Sequence, residues 1–278
     1  MAMGKLPTRP LGKTGLQVPI LAFGASPLGG IYQASKDEVG IEAVHEAFKL
    51  GMNFFDTSPH YGPIRSEKVL GQALKSLPRD KYILETKVGR YGEENFDFSA
   101  ETVTRSLKES LQRLNVDYVD IVHVHDVEFR DLDQICKETF PALQKLKQEG
   151  LLRFIGFSCF PLKPYKYIID KLPEGTVDVI LSYAHYSLQN TTLTDIVPYL
   201  KGKGIGIVNA SPLALGLLGP HGPPEWHPAP QKVKDTCKAA VDAASKRGVD
   251  ITRLAIQYSL QNEDFATTLV GMHTPEEA

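Results

Sequence analysis

The sequence predicts a closed (β/α)₈ barrel, and two observations carry that prediction. Along its 278 residues, eight short apolar segments alternate with amphipathic segments of helix length. One barrel of this class also needs roughly 250 residues, so the chain fits one such domain better than two. Near-continuous apolar strands joined by helices are typical of a parallel sheet that helices cover. We therefore expect a single domain over residues 1–278, with a doubly wound open sheet as the alternative.

The chain is predicted to open on a short hairpin that precedes the barrel. Its turn lies within residues 9–16, where Gly12 and Gly15 permit a tight backbone. The eight barrel strands are then predicted at residues 20–24, 52–56, 82–87, 119–125, 154–157, 179–181, 205–208 and 268–270. Few residues follow the eighth strand, so the helix that normally covers it is expected to be missing.

Helices are predicted between the strands where apolar residues recur every three or four positions, for example at 37–50, 100–114 and 132–149. Ser99 is placed to cap the N-terminus of the second, and Gly51 and Gly150 follow two of these helices as terminating residues. The proline- and glycine-rich stretch 216–231 is predicted to be a loop that folds over a site.

Composition excludes several classes of protein. The formal net charge is −2, with 31 basic and 33 acidic residues, so there is no broad positive field for nucleic acid or an anionic membrane. Three scattered cysteines do not form a disulfide framework. The first thirty residues contain no apolar h-region and no run of about 18 apolar residues occurs, so we expect neither a signal peptide nor a membrane-spanning segment. We expect a cytoplasmic monomer that acts on a small molecule.

The candidate catalytic residues lie where predicted strands end, and in barrels of this class the carboxyl ends of the strands form the active site. They are Asp56 and Tyr61 after the second strand, Lys87 at the third and His125 at the fourth. An ammonium beside a phenol favours the phenolate, and a carboxylate keeps that ammonium charged and oriented. A neutral imidazole can orient a carbonyl or hydroxyl. Because these groups accept no electrons, a conversion between carbonyl and alcohol requires a hydride-carrying cofactor.

The sequence resembles the aldo-keto reductase family over essentially its whole length. The matching segments are residues 9–16, 53–58, Tyr61-Gly62, Ser66-Glu67, Thr86-Lys87, Ser106-Leu107, Leu111, Leu114, 117–120, His125, Gly150, 153–158 and 211–213. The resemblance implies that Asp56, Tyr61, Lys87 and His125 are the catalytic positions, with Tyr61 as general acid or base. It also implies that Ser158, Ser182, Ser211 and Leu213 contact a nicotinamide cofactor.

Within the family, residues 155–160 and 209–213 are most similar to plant members that oxidise L-galactose at C1 with NAD, giving the lactone on the route to ascorbate. The sequence departs from the usual nicotinamide contacts at Cys159, Ser182 and Ala210. Residues 271–277 contain two acids and no Lys or Arg, which disfavours the 2′-phosphate of NADP. NAD is therefore the expected cofactor.

Three alternatives remain open at this stage. An NADPH-dependent reductase of another aldehyde or sugar would use the same residues. A metal-dependent hydrolase could use His123 and His125, which share one face of a strand, with His60, His185 or Asp178 as further ligands, although no metal is our expectation. A non-catalytic dinucleotide-binding subunit is the third. Glu85 either pairs with Lys87 or His123 inside the barrel, or faces outward.

Overall fold

The structure, a computed structural model, describes residues 6–31 and 36–278 and confirms the closed barrel. A hairpin of β1 (Thr8–Pro10) and β2 (Gln17–Pro19) comes first. The barrel strands are β3 (Leu21–Gly24), β4 (Phe54–Asp56), β5 (Ile83–Val88), β6 (Val119–Val124), β7 (Leu152–Ser158), β8 (Val179–Tyr183), β9 (Gly206–Ala210) and β10 (Thr267–Gly271). They pair in that order, every pair is parallel, and β10 closes on β3. This excludes the open sheet.

The described helices cover the outside of the barrel. They are α1 (Asp37–Lys49), α2 (Arg65–Leu74), α3 (Ala100–Leu114), α4 (Leu132–Gln134), α5 (Phe140–Gln148), α6 (Lys163–Lys171), α7 (Val197–Lys203), α8 (Gln231–Lys246) and α9 (Ile251–Leu260). Ser99 caps α3 by accepting a hydrogen bond from the Thr102 amide, as predicted. Gly51 and Gly150 adopt positive φ after α1 and α5, where glycine is favoured.

One predicted helix differs in detail. The segment predicted as a regular helix over 132–149 contains a π-turn at Ile135–Thr139 between α4 and α5. Pro141 has no amide hydrogen to donate to the preceding turn, which accounts for the wider turn just before it.

Side chains alternate between two packed layers. One layer fills the barrel interior and includes Phe54, Ile121 and Leu181, whereas their neighbours Phe55, Val122 and Ile180 pack under the helices. The hairpin closes the amino-terminal end of the barrel by inserting Leu11 and Val18 into the interior layer. The Arg9 guanidinium fastens the hairpin by donating to the carbonyls of Leu260, Asn262 and Phe265. The open end of the barrel is therefore the carboxyl end of the strands.

The long loop after β9 packs on α8 and α9 through Ala214, Leu217 and Leu218, which contact Cys237 and Ile251. The part predicted as a loop has no helix or strand within 216–230. After β10, residues 272–278 contain a turn and no helix. Among the residues that the structure describes, no helix is long and apolar enough to cross a membrane.

Candidate active site

The four predicted catalytic residues lie together at the carboxyl end of the barrel. Asp56 is the last residue of β4, Lys87 lies in β5, and His125 directly follows β6. All three are at most 5% exposed, and Tyr61, in the loop after β4, is partly buried. The side-chain alternation of the strands directs Asp56, Lys87 and His125 to the interior, where the barrel opens.

Lys87 is fixed by two contacts. Its ammonium forms an ion pair with the Asp56 carboxylate and donates to the Thr57 carbonyl at 3.0 Å. Burial lowers the pKa of Lys87, but Asp56, Tyr61 and Glu85 together outweigh the burial and raise the pKa above its usual value, so the ammonium stays charged. Lys87 Nζ lies 4.9 Å from the ring centroid of Tyr61.

Tyr61 departs from the expectation of an acidic phenol. Burial raises the pKa of Tyr61 above its ordinary value, and the lowering effect of the Lys87 ammonium does not outweigh it. Asp56 contributes a smaller upward shift. Tyr61 is therefore a neutral phenol at neutral pH in the ligand-free protein, and Lys87 limits the rise of its pKa without reversing it.

His125 is a neutral imidazole, as the sequence analysis expected. Burial, with Lys87 as a further cause, lowers its pKa well below the usual value. Its Nδ1 lies 3.1 Å from Ser58 Oγ, and that oxygen accepts the His60 amide at 3.1 Å. A neutral ring that accepts the Ser58 hydroxyl hydrogen at Nδ1 carries its own proton on Nε2. The His125 ring stands perpendicular to that of Tyr61, with centroids 5.8 Å apart.

A close backbone contact places Tyr61. Gly62 has a φ of +59°, and a Cβ added to it would lie 1.9 Å from the carbonyl oxygen of Gly29. Ser66, in the first turn of α2, follows the loop that carries Tyr61. Its hydroxyl donates to the Ala25 carbonyl after β3 at 2.7 Å and so holds the two loops together. Only glycine at position 62 allows the loop after β4 to approach the loop after β3 so closely. The Tyr61-Gly62 pair of the sequence motif thus has a structural cause.

A second buried pair lies beneath the catalytic residues. Glu85 Oε2 lies 3.0 Å from His123 Nε2, and both side chains are fully buried. Of the three expectations for Glu85, pairing with His123 is therefore correct. Burial raises the pKa of Glu85 to about 7 and lowers that of His123 to about 3. Gly156 makes room for the imidazole, since a Cβ there would lie 2.5 Å from His123 Nδ1.

This pairing bears on the metal alternative. His123 is engaged by Glu85, whereas His125 is engaged by Ser58, so the two imidazoles of the H-x-H sequence have different partners. Asp178 accepts hydrogen bonds from Lys147 and from the Ile155 amide. Within residues 6–31 and 36–278, no three His, Cys, Asp or Glu side chains are arranged to hold a metal ion.

The predicted cofactor contacts divide into two groups. Ser158 is the last residue of β7 and is buried at the carboxyl end of the barrel. Its hydroxyl oxygen accepts a hydrogen bond from the Asp126 amide at 3.2 Å. Ser211 and Leu213 lie in the loop directly after β9. Ser182, however, lies between Leu181 and Tyr183 on β8, both of which belong to the interior layer, so its side chain faces the helices. Tyr183, and not Ser182, is the residue of β8 that faces the opening.

Some motif residues are structural. Glu67 accepts hydrogen bonds from Thr86 and Arg113, each at 2.6 Å, between α2, β5 and α3. Asp120 forms an ion pair with Arg153 at 2.7 Å across β6 and β7. These pairs tie neighbouring barrel units together and do not reach the opening.

Three residues at the opening were missed by sequence reasoning. Asp126 directly follows His125, Arg90 lies three residues after Lys87, and Tyr183 ends β8. Asp126 Oδ2 lies 2.5 Å from Arg90 Nη1 and 3.6 Å from His125 Nε2. The only signal in the sequence was their position immediately beyond strand ends.

Comparison with known proteins agrees with this geometry. The model of the aldo/keto reductase family matches residues 20–278. The chain is 56% identical to L-galactose dehydrogenase of Arabidopsis thaliana, covering 97% of this chain and 85% of the relative. It is 32% identical to D-arabinose 1-dehydrogenase of Saccharomyces cerevisiae, over 86% and 74%. A holo aldo-keto reductase from Bacillus halodurans superposes with a TM-score of 0.81 at 27% identity, over 98% and 88%. The chain belongs to the aldo/keto reductase family.

Proposed function

We propose that the protein oxidises L-galactose at C1 with NAD and gives the lactone. The observation that carries this proposal is the juxtaposition of Tyr61, Lys87 and His125 at the opening, in a chain 56% identical to an L-galactose dehydrogenase. The Arabidopsis similarity supports the choice of sugar. The finer expectations of a cytoplasmic monomer are part of this proposal, and size-exclusion chromatography with light scattering tests the oligomeric state.

The side chains would act as follows in this reaction. The C1 hydroxyl lies between Tyr61 and His125, where the Nε2–H of His125 donates to the reacting oxygen. The Tyr61 phenolate takes the hydroxyl proton as C1 loses a hydride, and the C1–O bond becomes the lactone carbonyl. Lys87 stabilises the phenolate, and Asp56 keeps Lys87 charged. Because burial raises the pKa of Tyr61, this oxidation should accelerate as the pH rises.

A nicotinamide dinucleotide would accept the hydride when bound, and its positive ring would further favour the phenolate. The residues present fit it. The Ser158 hydroxyl oxygen accepts the Asp126 amide, and the hydroxyl lies beside the Asp126 carboxylate at the carboxyl end of the barrel. Ser211, Ala214 and Leu215 all adopt positive φ, and the loop after β9, which carries Ser211 and Leu213, forms a compact turn closed by its own backbone hydrogen bonds. We take Ser158 and this turn as the cofactor contacts.

NAD is the proposed form of the cofactor. The chain after β10 contains Glu276 and Glu277 but no Lys or Arg between residues 271 and 278. Glu277 accepts the His273 amide at 2.8 Å, which fixes its carboxylate at this turn. A dianionic 2′-phosphate beside these carboxylates would be repelled, whereas the 2′-hydroxyl of NAD would not.

An absorbance assay of NADH and NADPH formation across a panel of aldoses tests the proposal. We expect turnover of L-galactose with NAD and much weaker turnover with NADP. The neutral phenol of Tyr61 favours one second candidate, the reduction of an aldehyde, in which Tyr61 donates the proton. A clear preference for an aldehyde with NADPH would replace the proposed function with this one.

A further inference from the structure

A buried ion pair lies at the opening, outside the four catalytic residues. Asp126 is 2% exposed and pairs with Arg90, which comes from the loop after the neighbouring strand. Its backbone adopts a φ of +53° and a ψ of +60°, a left-handed conformation that non-glycine residues seldom adopt. The Ser158 hydroxyl oxygen accepts the Asp126 amide. The carboxylate is thus held in an unusual place by contacts from two other strand ends.

Arg90 is itself fixed. Its guanidinium lies 5.2 Å from the ring centroid of Phe96 and 5.5 Å from that of Phe129, and the two rings contact each other at 4.8 Å. Backbone pairing of Arg90 with Phe96 closes the loop after β5. This aromatic support leaves the guanidinium few other orientations, so it presents a rigid partner to Asp126.

The Asp126 carboxylate has unused hydrogen-bonding capacity. Its Oδ1 is buried and has no hydrogen-bond partner. Its Oδ2 lies 3.6 Å from His125 Nε2, too far for a direct hydrogen bond, so the Nε2–H remains free for the reacting oxygen. The carboxylate is also close enough to Tyr61 and Tyr183 to raise the pKa of both phenols. It therefore borders the space between the catalytic residues.

A buried carboxylate oxygen that receives no hydrogen bond destabilises the protein unless a bound ligand supplies a donor. An oxygen held by His125 Nε2 brings the substituent on the adjacent carbon towards Asp126, because the two protein atoms are only 3.6 Å apart. A hydroxyl on that carbon would donate to the carboxylate, whereas a hydrogen there would leave it unsatisfied.

We infer that Asp126, held by Arg90, accepts a hydrogen bond from the hydroxyl next to the reacting carbon, which is the C2 hydroxyl of an aldose. This inference rests on the proposed function and deepens it. Asp126 selects substrates that carry adjacent oxygens and rejects those in which the neighbouring carbon has none. Selection of this kind is strong because a substrate without that hydroxyl leaves the buried Oδ1 of Asp126 without a hydrogen bond.

The test compares kcat/KM for L-galactose and 2-deoxy-L-galactose in the wild type, Asp126→Asn and Asp126→Gly. Asparagine and glycine both tolerate the left-handed backbone, so neither exchange strains it, and urea unfolding of each variant measures the stability lost with the Arg90 ion pair. We expect the wild type to prefer L-galactose, and Asp126→Gly to lose about 10- to 100-fold with L-galactose alone, the range for a hydrogen bond to a charged group. Asp126→Asn keeps one acceptor oxygen and should lose less.

Glu128→Gln is the matched control. Glu128 is a second carboxylate at the opening, and its Oε1 accepts the Phe160 amide at 2.7 Å. Its Oε2 is also buried without a hydrogen-bond partner, so the two carboxylates compete for the same role. We expect Glu128→Gln to leave the preference between the two sugars unchanged, and a change of preference in Glu128→Gln but not in Asp126→Gly would overturn the inference. Equal losses with both sugars in Asp126→Gly, or an unchanged preference, would overturn the inference.

If the proposed function is wrong, the wild type will not oxidise L-galactose, which distinguishes this failure from failure of the inference. The comparison is then made in the reductive direction with lactaldehyde and propanal, which differ by the hydroxyl next to the carbonyl. Loss of discrimination between them in Asp126→Gly would support the inference without the proposed sugar. Absence of turnover with both substrate pairs would overturn the inference and the proposed function together.

Discussion

Replacing Lys87 with methionine isolates the electrostatic effect of the ammonium on Tyr61. At the 4.9 Å that separates Lys87 Nζ from the phenol ring centroid, a unit charge contributes about 3.4 kcal/mol at an effective dielectric constant of about 20. That energy corresponds to roughly 2.5 units in the pKa of Tyr61. Oxidation at neutral pH should therefore fall by about 300-fold in Lys87→Met, because fewer molecules carry the phenolate.

The pH dependence of kcat distinguishes this effect from general damage. Burial already raises the pKa of Tyr61, so the wild-type oxidation rate should rise with pH. In Lys87→Met the rise should move to higher pH, and the difference from wild type should shrink under alkaline conditions. A variant with the wild-type pH profile, whatever its absolute rate, would refute the role given to Lys87.

Stability needs its own control in this experiment. Removing Lys87 leaves the buried carboxylate of Asp56 unpaired, which typically costs about 3–5 kcal/mol. The double variant with Asp56→Asn removes that charge as well and should recover much of the lost stability in urea unfolding. It should not recover the rate of oxidation. Recovery of both would show that the Lys87→Met defect was one of folding.

Two further predictions concern the layer beneath the site. Gly156→Ala should lower the free energy of unfolding by about 3 kcal/mol, because the new methyl would lie 2.5 Å from His123 Nδ1. The matched Gly202→Ala, where no atom lies within 4 Å, should not destabilise, and equal urea midpoints would contradict the packing argument. Burial raises the pKa of Glu85 from 4.5 to about 7, so folded Glu85 holds a proton that the unfolded chain releases within that window, and the contribution of Glu85 to stability falls as the pH rises through it. In Glu85→Gln, the free energy of unfolding should fall less between these pH values. If the pH dependence of the variant matched that of the wild type, another group would be responsible for the fall.

The fold could be predicted from the sequence because its signals are local. Eight apolar segments, the Ser99 cap and the terminating Gly51 and Gly150 each depend on neighbours along the chain, and all were confirmed. The π-turn at Ile135–Thr139 was not anticipated, since Pro141 perturbs a helix whose apolar period stays regular.

The site was harder to predict from the sequence, because it depends on which face of a strand a residue occupies. Ser182 and Tyr183 differ by one position, yet a shift of one residue reverses the face of the strand. The family resemblance selected Ser182, whose side chain points away from the opening. The ion pair of Asp126 and Arg90 could not be predicted from local signals, because the two residues are 36 positions apart in the chain. The raised pKa of Tyr61 likewise reflects burial, which the spacing of charged residues does not reveal.

The exchange of Tyr61 for phenylalanine tests the central claim most directly. The variant keeps the ring and removes only the hydroxyl, so its melting temperature and its affinity for NAD, measured by fluorescence titration, should match the wild type. The kcat for L-galactose should fall by about 1000-fold, within the range of general acid–base catalysis. Oxidation of L-galactose at a near wild-type rate would contradict the assignment of Tyr61 as the residue that takes the proton.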